Sequence, residues 1–225
     1  MKCAVIIFIK FPEPGRVKTR IGRNIGNAAA AELYTAFVED MLVNLDKAGL
    51  EPIITYDPFQ PPEKYKNWLG NRTYIPQQGN DLGERMHNAL LAGFRLGYDS
   101  CLLTGSDLPD LKPESILQAL KAIQKAPVCI GPAKDGGYYL IGFQKKYLTD
   151  SIFTSMQWST ENVFQETISR LEKFNIDPAI LPEHQDMDTV QDLKRLSKKP
   201  NAQNLCPKSL AVLKTIFETS SAQNN

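Results

Sequence analysis

Four basic side chains, Lys10, Arg16, Lys18 and Arg20, fall within eleven residues around the stretch Phe11-Pro-Glu-Pro-Gly-Arg-Val-Lys-Thr-Arg20. Two prolines stiffen this stretch, and Gly15 lets a ligand approach the backbone. Such a loop suits the oxygens of a polyphosphate. The GxxxxGK[ST] spacing is missing, which excludes an ordinary ATPase phosphate loop. With no ligand, the same residues make a solvated basic loop. The acidic counterparts are Asp107, in Gly105-Ser106-Asp107-Leu108-Pro109, and Asp188, in Gln185-Asp186-Met187-Asp188-Thr189. Mg²⁺ and Mn²⁺ take oxygen ligands and bridge to substrate phosphates, so two carboxylates converging on one ion would explain both. The plainer readings are a turn cap before Pro109 for Asp107, a helix N-cap before Thr189-Val190 for Asp188, and a solvated turn for Asp186.

Three further stretches carry polar chemistry. In Lys134-Asp135-Gly136-Gly137-Tyr138-Tyr139-Leu-Ile-Gly142, the paired glycines allow backbone contact with a ligand, and Asp135 can contact it or act as a base. Tyr138 or Tyr139 can stack on it, one facing each way; the alternative is a hairpin turn. Gln78-Gly79-Asn80-Asp81-Leu-Gly83-Glu84-Arg85-Met86 suits either nucleotide contact or a capped helix start. Trp158-Ser159-Thr160 reads as an acceptor contact or as an aromatic staple before a helix. His87 and His184 fit no Ser/His/Asp or Cys/His arrangement and receive no role.

The elements that must position these loops alternate between strand and helix. Residues 3–9 predict a buried first strand. A helix follows over Ala28 to Ala48, where Leu33, Phe37, Met41 and Leu45 recur every fourth residue beside Tyr34, Val38 and Leu42. Strands are expected at 52–56, 72–76, 101–104, 128–130, 138–143 and 179–181. Helices are expected at 84–96, 112–124, 160–174 (capped by Ser159) and 189–196. The basic stretch 11–22 and the proline-rich stretch 57–64 read as loops. This alternation points to a mostly parallel, doubly wound sheet, whose ligands bind beyond the C-terminal strand ends. A single domain is expected over 1–200, with a C-terminal helix and a disordered tail over 201–225.

Composition narrows the classes. The 225 residues carry 26 basic and 25 acidic side chains, so a dedicated nucleic-acid binder is disfavoured. An apolar content of 42% argues against a disordered chain. The apolar run 3–9 is far below the ~20 residues of a membrane span, and no cleavage site follows it. The four cysteines form no CxxC pair, and Cys3, Cys101 and Cys129 sit in apolar runs as free thiols. A cytoplasmic protein fits these features.

Taken in order, Phe11–Arg20, Gly79–Met86, Gly105–Pro109, Gly131–Gly142, Trp158–Thr160 and Asp186–Thr189 resemble the bacterial DUF2064 proteins over roughly residues 1–200, a group also labelled glycosyltransferase-like or selenodomain-associated transferases. That family is similar to the nucleotide-diphospho-sugar transferase superfamily, and it resembles phospholactate guanylyltransferases and molybdenum-cofactor nucleotidyltransferases. The resemblance implies a GT-A-like three-layer α/β sandwich with a mostly parallel central sheet. It also implies phosphate binding around Arg16, Lys18 and Arg20, metal binding by Asp107 and Asp188, and base or ribose contact from the 78–85 loop. Two patterns of the wider superfamily are replaced. Pro-Glu-Pro-Gly-Arg stands for the GGxGTR loop, and Ser106-Asp107-Leu108 stands for DxD.

The resulting expectation is a metal-dependent transferase with a nucleotide-activated donor and a small-molecule acceptor, using Mg²⁺ or Mn²⁺. Its first form is glycosyl transfer from a nucleoside diphosphate sugar. Nucleotidyl transfer from a triphosphate, with pyrophosphate release, is the alternative, and a non-catalytic nucleotide-binding module is the third reading. Asp135 and Lys18 are the candidate catalytic residues. Lys10, Gly15, Arg16, Lys18, Arg20, Gln78, Gly79, Asp81, Arg85 and Ser106 are candidates for the nucleotide. Gly136, Gly137, Tyr138, Trp158, Ser159 and Thr160 are candidates for the acceptor.

Overall fold

The computed structural model describes residues 1–222. The chain forms two compact units. The first comprises 1–9, 51–105 and 113–185; the second comprises 10–50, 106–112 and 186–225.

The first unit is built on a sheet of seven strands: β1 (Cys3–Ile9), β2 (Ile53–Tyr56), β3 (Tyr74–Pro76), β4 (Ser100–Thr104), β5 (Val128–Pro132), β6 (Tyr138–Gln144) and β7 (Ala179–Ile180). Their order is β3-β2-β1-β4-β6-β5-β7. Only β6 runs antiparallel to its neighbours. Short apolar runs rich in Val, Ile and Leu suit strands buried on both faces. One face carries Ile6, Cys101, Leu103, Ile130, Ile141 and Phe143 and packs with Leu90 and Phe94 of one helix, Leu82–Arg95, and Leu171 of another, Val163–Lys173. The other face meets the helix Pro113–Lys125, where the Cys129 thiol lies 3.9 Å from the Ala119 carbonyl that accepts from it. Helices on both faces of a mostly parallel sheet are the arrangement expected from the alternation of elements. β1 and β4 are parallel neighbours, so the chain leaves both at the same sheet edge.

The second unit is helical. It holds α1 (Thr19–Ile25), α2 (Asn27–Lys47), α7 (Val190–Leu196), α8 (Ala202–Leu205) and α9 (Pro207–Ala222); α3 (Pro62–Leu69), α4 (Leu82–Arg95), α5 (Pro113–Lys125) and α6 (Val163–Lys173) belong to the first unit. The apolar stripe of α2 is buried as its four-residue recurrence requires, and Leu33 and Phe37 share a core with Ile21, Met187, Leu193, Leu196 and Leu213. Buried Asp40 on α2 accepts from the Ser209 N–H at 2.8 Å and the Ser209 hydroxyl at 2.6 Å, which satisfies first-turn donors of α9.

Three local expectations are corrected. The basic stretch is a loop only as far as Lys18, because Val17 and Ile21 are buried and draw the following residues into α1. The prolines at 61 and 62 start α3 instead of prolonging a turn, since proline is tolerated in a first helical turn. Ser159 does not cap α6: it sits at φ +65°, and the helix begins after Asn162. The expected disordered tail lies, for residues 223–225, outside the described residues; 220–222 continue α9. The cysteines are free, and burial pushes the thiols of Cys101, Cys129 and Cys206 up to about 12, which leaves them poor nucleophiles. Among the described residues, no helix is long and apolar enough to cross a membrane.

Candidate functional site

Within the second unit, Lys18, Asp107 and Asp188 meet. The Lys18 Nζ lies 3.0 Å from Asp107 Oδ1 and 2.9 Å from Asp188 Oδ1. The ammonium is almost wholly covered, with 3% side-chain exposure, whereas each carboxylate keeps 41%. Burial is the largest single influence on Lys18 and works against its charge, but the two carboxylates together outweigh it and hold the ammonium above its ordinary range.

Each partner is fixed by its neighbours in sequence. Lys18 occupies the position before α1 in a left-handed conformation, φ +47°, between the buried anchors Val17 and Ile21, and its carbonyl accepts from the Gly22 N–H at 2.8 Å. Asp107 is followed by buried Leu108 and preceded by buried Ser106. The Ser106 hydroxyl lies 2.8 Å from that of Tyr34 on α2, which also accepts from the Lys10 N–H at 3.1 Å. Buried Met187 donates its N–H to the Asp107 carbonyl at 3.2 Å, tying the two acidic segments backbone to backbone.

Asp188 is not the helix cap that its position before Thr189-Val190 allowed. Thr189 caps α7, in a capping box with Asp192. The Asp192 Oδ2 accepts from the N–H groups of Asp188 at 3.1 Å and Thr189 at 2.8 Å, so Asp192 holds the backbone that carries Asp188. Burial opposes the Asp192 charge most strongly, but hydrogen bonds from Thr189 and Asp188 and the Arg195 guanidinium leave its carboxyl below the usual range. A carboxylate depressed in the folded state stabilises above its unfolded pKa and loses that contribution as pH falls through the folded one. Asp192→Ala is therefore expected to cost about 1–2 kcal/mol at neutral pH, the range for a lost cap. The gap from the parent should shrink below the ordinary aspartate range. Denaturant titrations at neutral and acid pH check this.

Of the other residues expected at the phosphates, Arg20 reaches this trio. Arg20 Nη1 is 3.9 Å from Asp188 Oδ2 and 70% exposed; Arg16 lies 3.9 Å from Glu13 of its own loop. Gly15 is in the turn over 14–16, and the Lys10 side chain is exposed.

The remaining expected site residues meet in the first unit. Asp81 caps α4 by accepting from the Glu84 N–H at 2.9 Å; Arg85 Nε donates to the Gly79 carbonyl at 3.1 Å, and Asn88 donates to that of Gln78 at 2.9 Å. Gly83 abuts the Trp158 ring, where an added Cβ would come to 2.6 Å. Gly136 abuts the Glu161 backbone, and its carbonyl accepts from the Phe164 N–H at 2.9 Å. The 78–85, 135–137 and 158–161 segments are thus joined through Gly83 and Gly136. Asp135 accepts from the Gly137 N–H at 3.0 Å, within the turn linking β5 to β6. The Tyr138 hydroxyl lies 3.8 Å from the Met86 sulfur and its ring packs against the core, where burial pushes its pKa up. Tyr139, the other side of the alternation, donates to the Pro182 carbonyl at 3.3 Å. The Trp158 indole N–H is buried with no hydrogen-bond partner among the described residues, and the Thr160 hydroxyl donates to the Gln157 carbonyl at 2.9 Å.

Sequence reasoning missed the supporting roles of Tyr34, Met187 and Asp192. Tyr34 was legible only as a flank of the α2 stripe, since a tyrosine beside an apolar stripe says nothing of where its hydroxyl points. The one usable signal was Thr189-x-x-Asp192, a capping-box spacing that placed the cap one residue after Asp188.

Residues 41–160 match the family described as "Uncharacterized protein conserved in bacteria (DUF2064)". The chain is 38% identical to a "putative nucleotide-diphospho-sugar transferase" from Desulfovibrio desulfuricans G20, over 96% of this chain and 99% of that one, with a TM-score of 0.85. It also resembles the inositol-1-phosphate CTP transferase from T. maritima, at 15% identity, 93% and 96% coverage and a TM-score of 0.57. The manganese complex of Rv0371C from Mycobacterium tuberculosis H37Rv matches at 13% identity, 89% and 100% coverage and a TM-score of 0.54. These last two likenesses are of fold. No curated protein matches the sequence. With a solved relative at 38% identity along almost its whole length and a family match across the middle of the chain, this protein belongs to the DUF2064 family and has the nucleotide-diphospho-sugar transferase fold.

Proposed function

We propose that this protein is a transferase drawing on a nucleotide-activated donor, with glycosyl transfer from a nucleoside diphosphate sugar to a small acceptor as its reaction. The observation that carries this reading is the meeting of Lys18 with Asp107 and Asp188, two carboxylates from separate segments presenting oxygens toward one cationic centre. That donor set fits Mg²⁺ or Mn²⁺. Asp107 and Asp188 would hold the ion, which would neutralise charge on the donor phosphates when bound.

The protein's own groups do the rest. Lys18, Arg16 and Arg20 donate to phosphate oxygens, with Lys10, Gly15 and Ser106 beside them. Gln78, Gly79, Asp81 and Arg85 contact the nucleoside. Gly136, Gly137, Tyr138, Trp158, Ser159 and Thr160 hold the acceptor, and Asp135 takes its hydroxyl proton as the acceptor oxygen bonds to the anomeric carbon. The bond from that carbon to the diphosphate oxygen breaks, and nucleoside diphosphate leaves. The 38% identical relative, described as a nucleotide-diphospho-sugar transferase, supports this form. Nucleotidyl transfer stays as a second reading because Ser106-Asp107-Leu108 lacks DxD and a buried lysine is part of the trio.

A thermal-shift panel of UDP-, GDP-, ADP- and TDP-sugars and the four triphosphates, each with and without Mn²⁺ or Mg²⁺, tests the reading. Metal-dependent stabilisation by one nucleotide sugar is expected, and that sugar should then be turned over with release of nucleoside diphosphate. Stabilisation by one triphosphate alone, with pyrophosphate formed, establishes the second reading. No shift with any compound overturns both.

A further inference from the structure

We propose that Lys18 keeps the divalent cation out of the Asp107–Asp188 position until nucleotide phosphates draw its ammonium away, so that cation and nucleotide enter together. The inference rests on the functional reading above and adds an order of events to it. Its basis is steric as much as electrostatic. The point within 3.0 Å of an oxygen from each carboxylate is already taken by Nζ. A hard cation binds carboxylate oxygens at about 2.0–2.6 Å, so one shared by both carboxylates needs the same space. Lysine suits a movable plug, because its charge rides on a flexible four-carbon stem.

The backbone around it does not share that freedom. Val17 and Ile21 are buried on either side, and the Lys18 carbonyl is bonded into α1. The backbone that carries each carboxylate is tied as well, through the Met187 N–H on the Asp107 carbonyl and Asp192 on the Asp188 N–H. Two short acidic side chains on tied backbone thus move little, while the ammonium between them rides on a long stem and can swing. With both carboxylates ionised, the trio carries one net negative charge, against two for the carboxylates alone, so a free cation meets both a weaker field and a blocked position. A polyphosphate changes the balance by offering the ammonium another anion, and the vacated carboxylates then present two charges to the ion.

The test compares Mn²⁺ binding, by calorimetry or by the free-Mn²⁺ electron paramagnetic resonance signal, in the parent, Lys18→Met and Lys18→Arg proteins, without nucleotide and with UDP, GDP, ADP or TDP. Lys18→Met should bind Mn²⁺ alone at least tenfold more tightly than the parent, and Lys18→Arg, which keeps the charge, should not. The parent should bind Mn²⁺ at least tenfold more tightly when the preferred nucleotide is present. A Lys18→Met protein with parental or weaker Mn²⁺ affinity overturns the proposal. Should that variant not fold, the parent decides: no tightening of Mn²⁺ binding by a nucleotide that itself binds is equally fatal. If no nucleotide binds, the functional reading fails, whereas the comparison in Mn²⁺ alone still decides whether Lys18 blocks the cation.

Discussion

Asp107→Asn should lower kcat by about a hundredfold to a thousandfold, the scale for losing one preorganised electrostatic contact, while the Tm changes by no more than a few degrees. The two effects separate because they involve different atoms. The structural tie to Met187 runs through the Asp107 backbone carbonyl, which the substitution leaves intact. The carboxylate is 41% exposed and Asp188 remains to pair the covered Lys18 ammonium, so the lost ion pair, discounted for solvent screening, should cost about 1 kcal/mol. In a protein of this size that corresponds to about 2–4 °C. Asp188→Asn should behave the same way. Steady-state kinetics with the donor found in the thermal-shift panel, alongside melting curves, check both. A variant that unfolds outright would make Asp107 a structural tie and not a functional group.

Gly136→Ala should be among the most damaging single-methyl additions in the chain. Gly136 sits at φ +87°, where an L side chain is strained, and its Cβ would collide with the backbone of Glu161. The left-handed conformation costs roughly 1–2 kcal/mol and overpacking against backbone about 1–3 kcal/mol more. A stability loss of about 2–5 kcal/mol is expected, lowering the Tm by about 5–15 °C. Gly137→Ala is the control. Its Cβ would meet only the Asp135 carboxylate oxygen, at 3.3 Å, a side-chain atom able to give way. That variant should stay within about 1 kcal/mol of the parent on the scale of tolerated substitutions. Equal losses in the two would place the strain elsewhere in the turn.

The sheet and its main helices were legible because their causes are local. The run 3–9 predicts β1 and the four-residue recurrence on α2 predicts its buried stripe, each from neighbours within a few positions; at Gly136-Gly137 the alternative reading, a turn, is what links β5 to β6. The failures are local signals overruled by packing. Lys18 and Arg20 look like a solvated loop until the burial of Val17 and Ile21 turns the chain into α1. The plainer reading of Asp188 as a cap falls too, because Thr189 and Asp192 close the box one residue later.

The sequence by itself determined which residue types were available to the site: a basic loop, two separated aspartates, and paired glycines at 136 and 137. Only the tertiary structure decided that the Lys18 ammonium is buried between two carboxylates and does not stand free in solvent. The physical reason is distance along the chain. An ion pair joining residues 170 positions apart leaves no periodicity in the sequence, and it exists only because Tyr34, Met187 and Asp192 hold the segments that carry it.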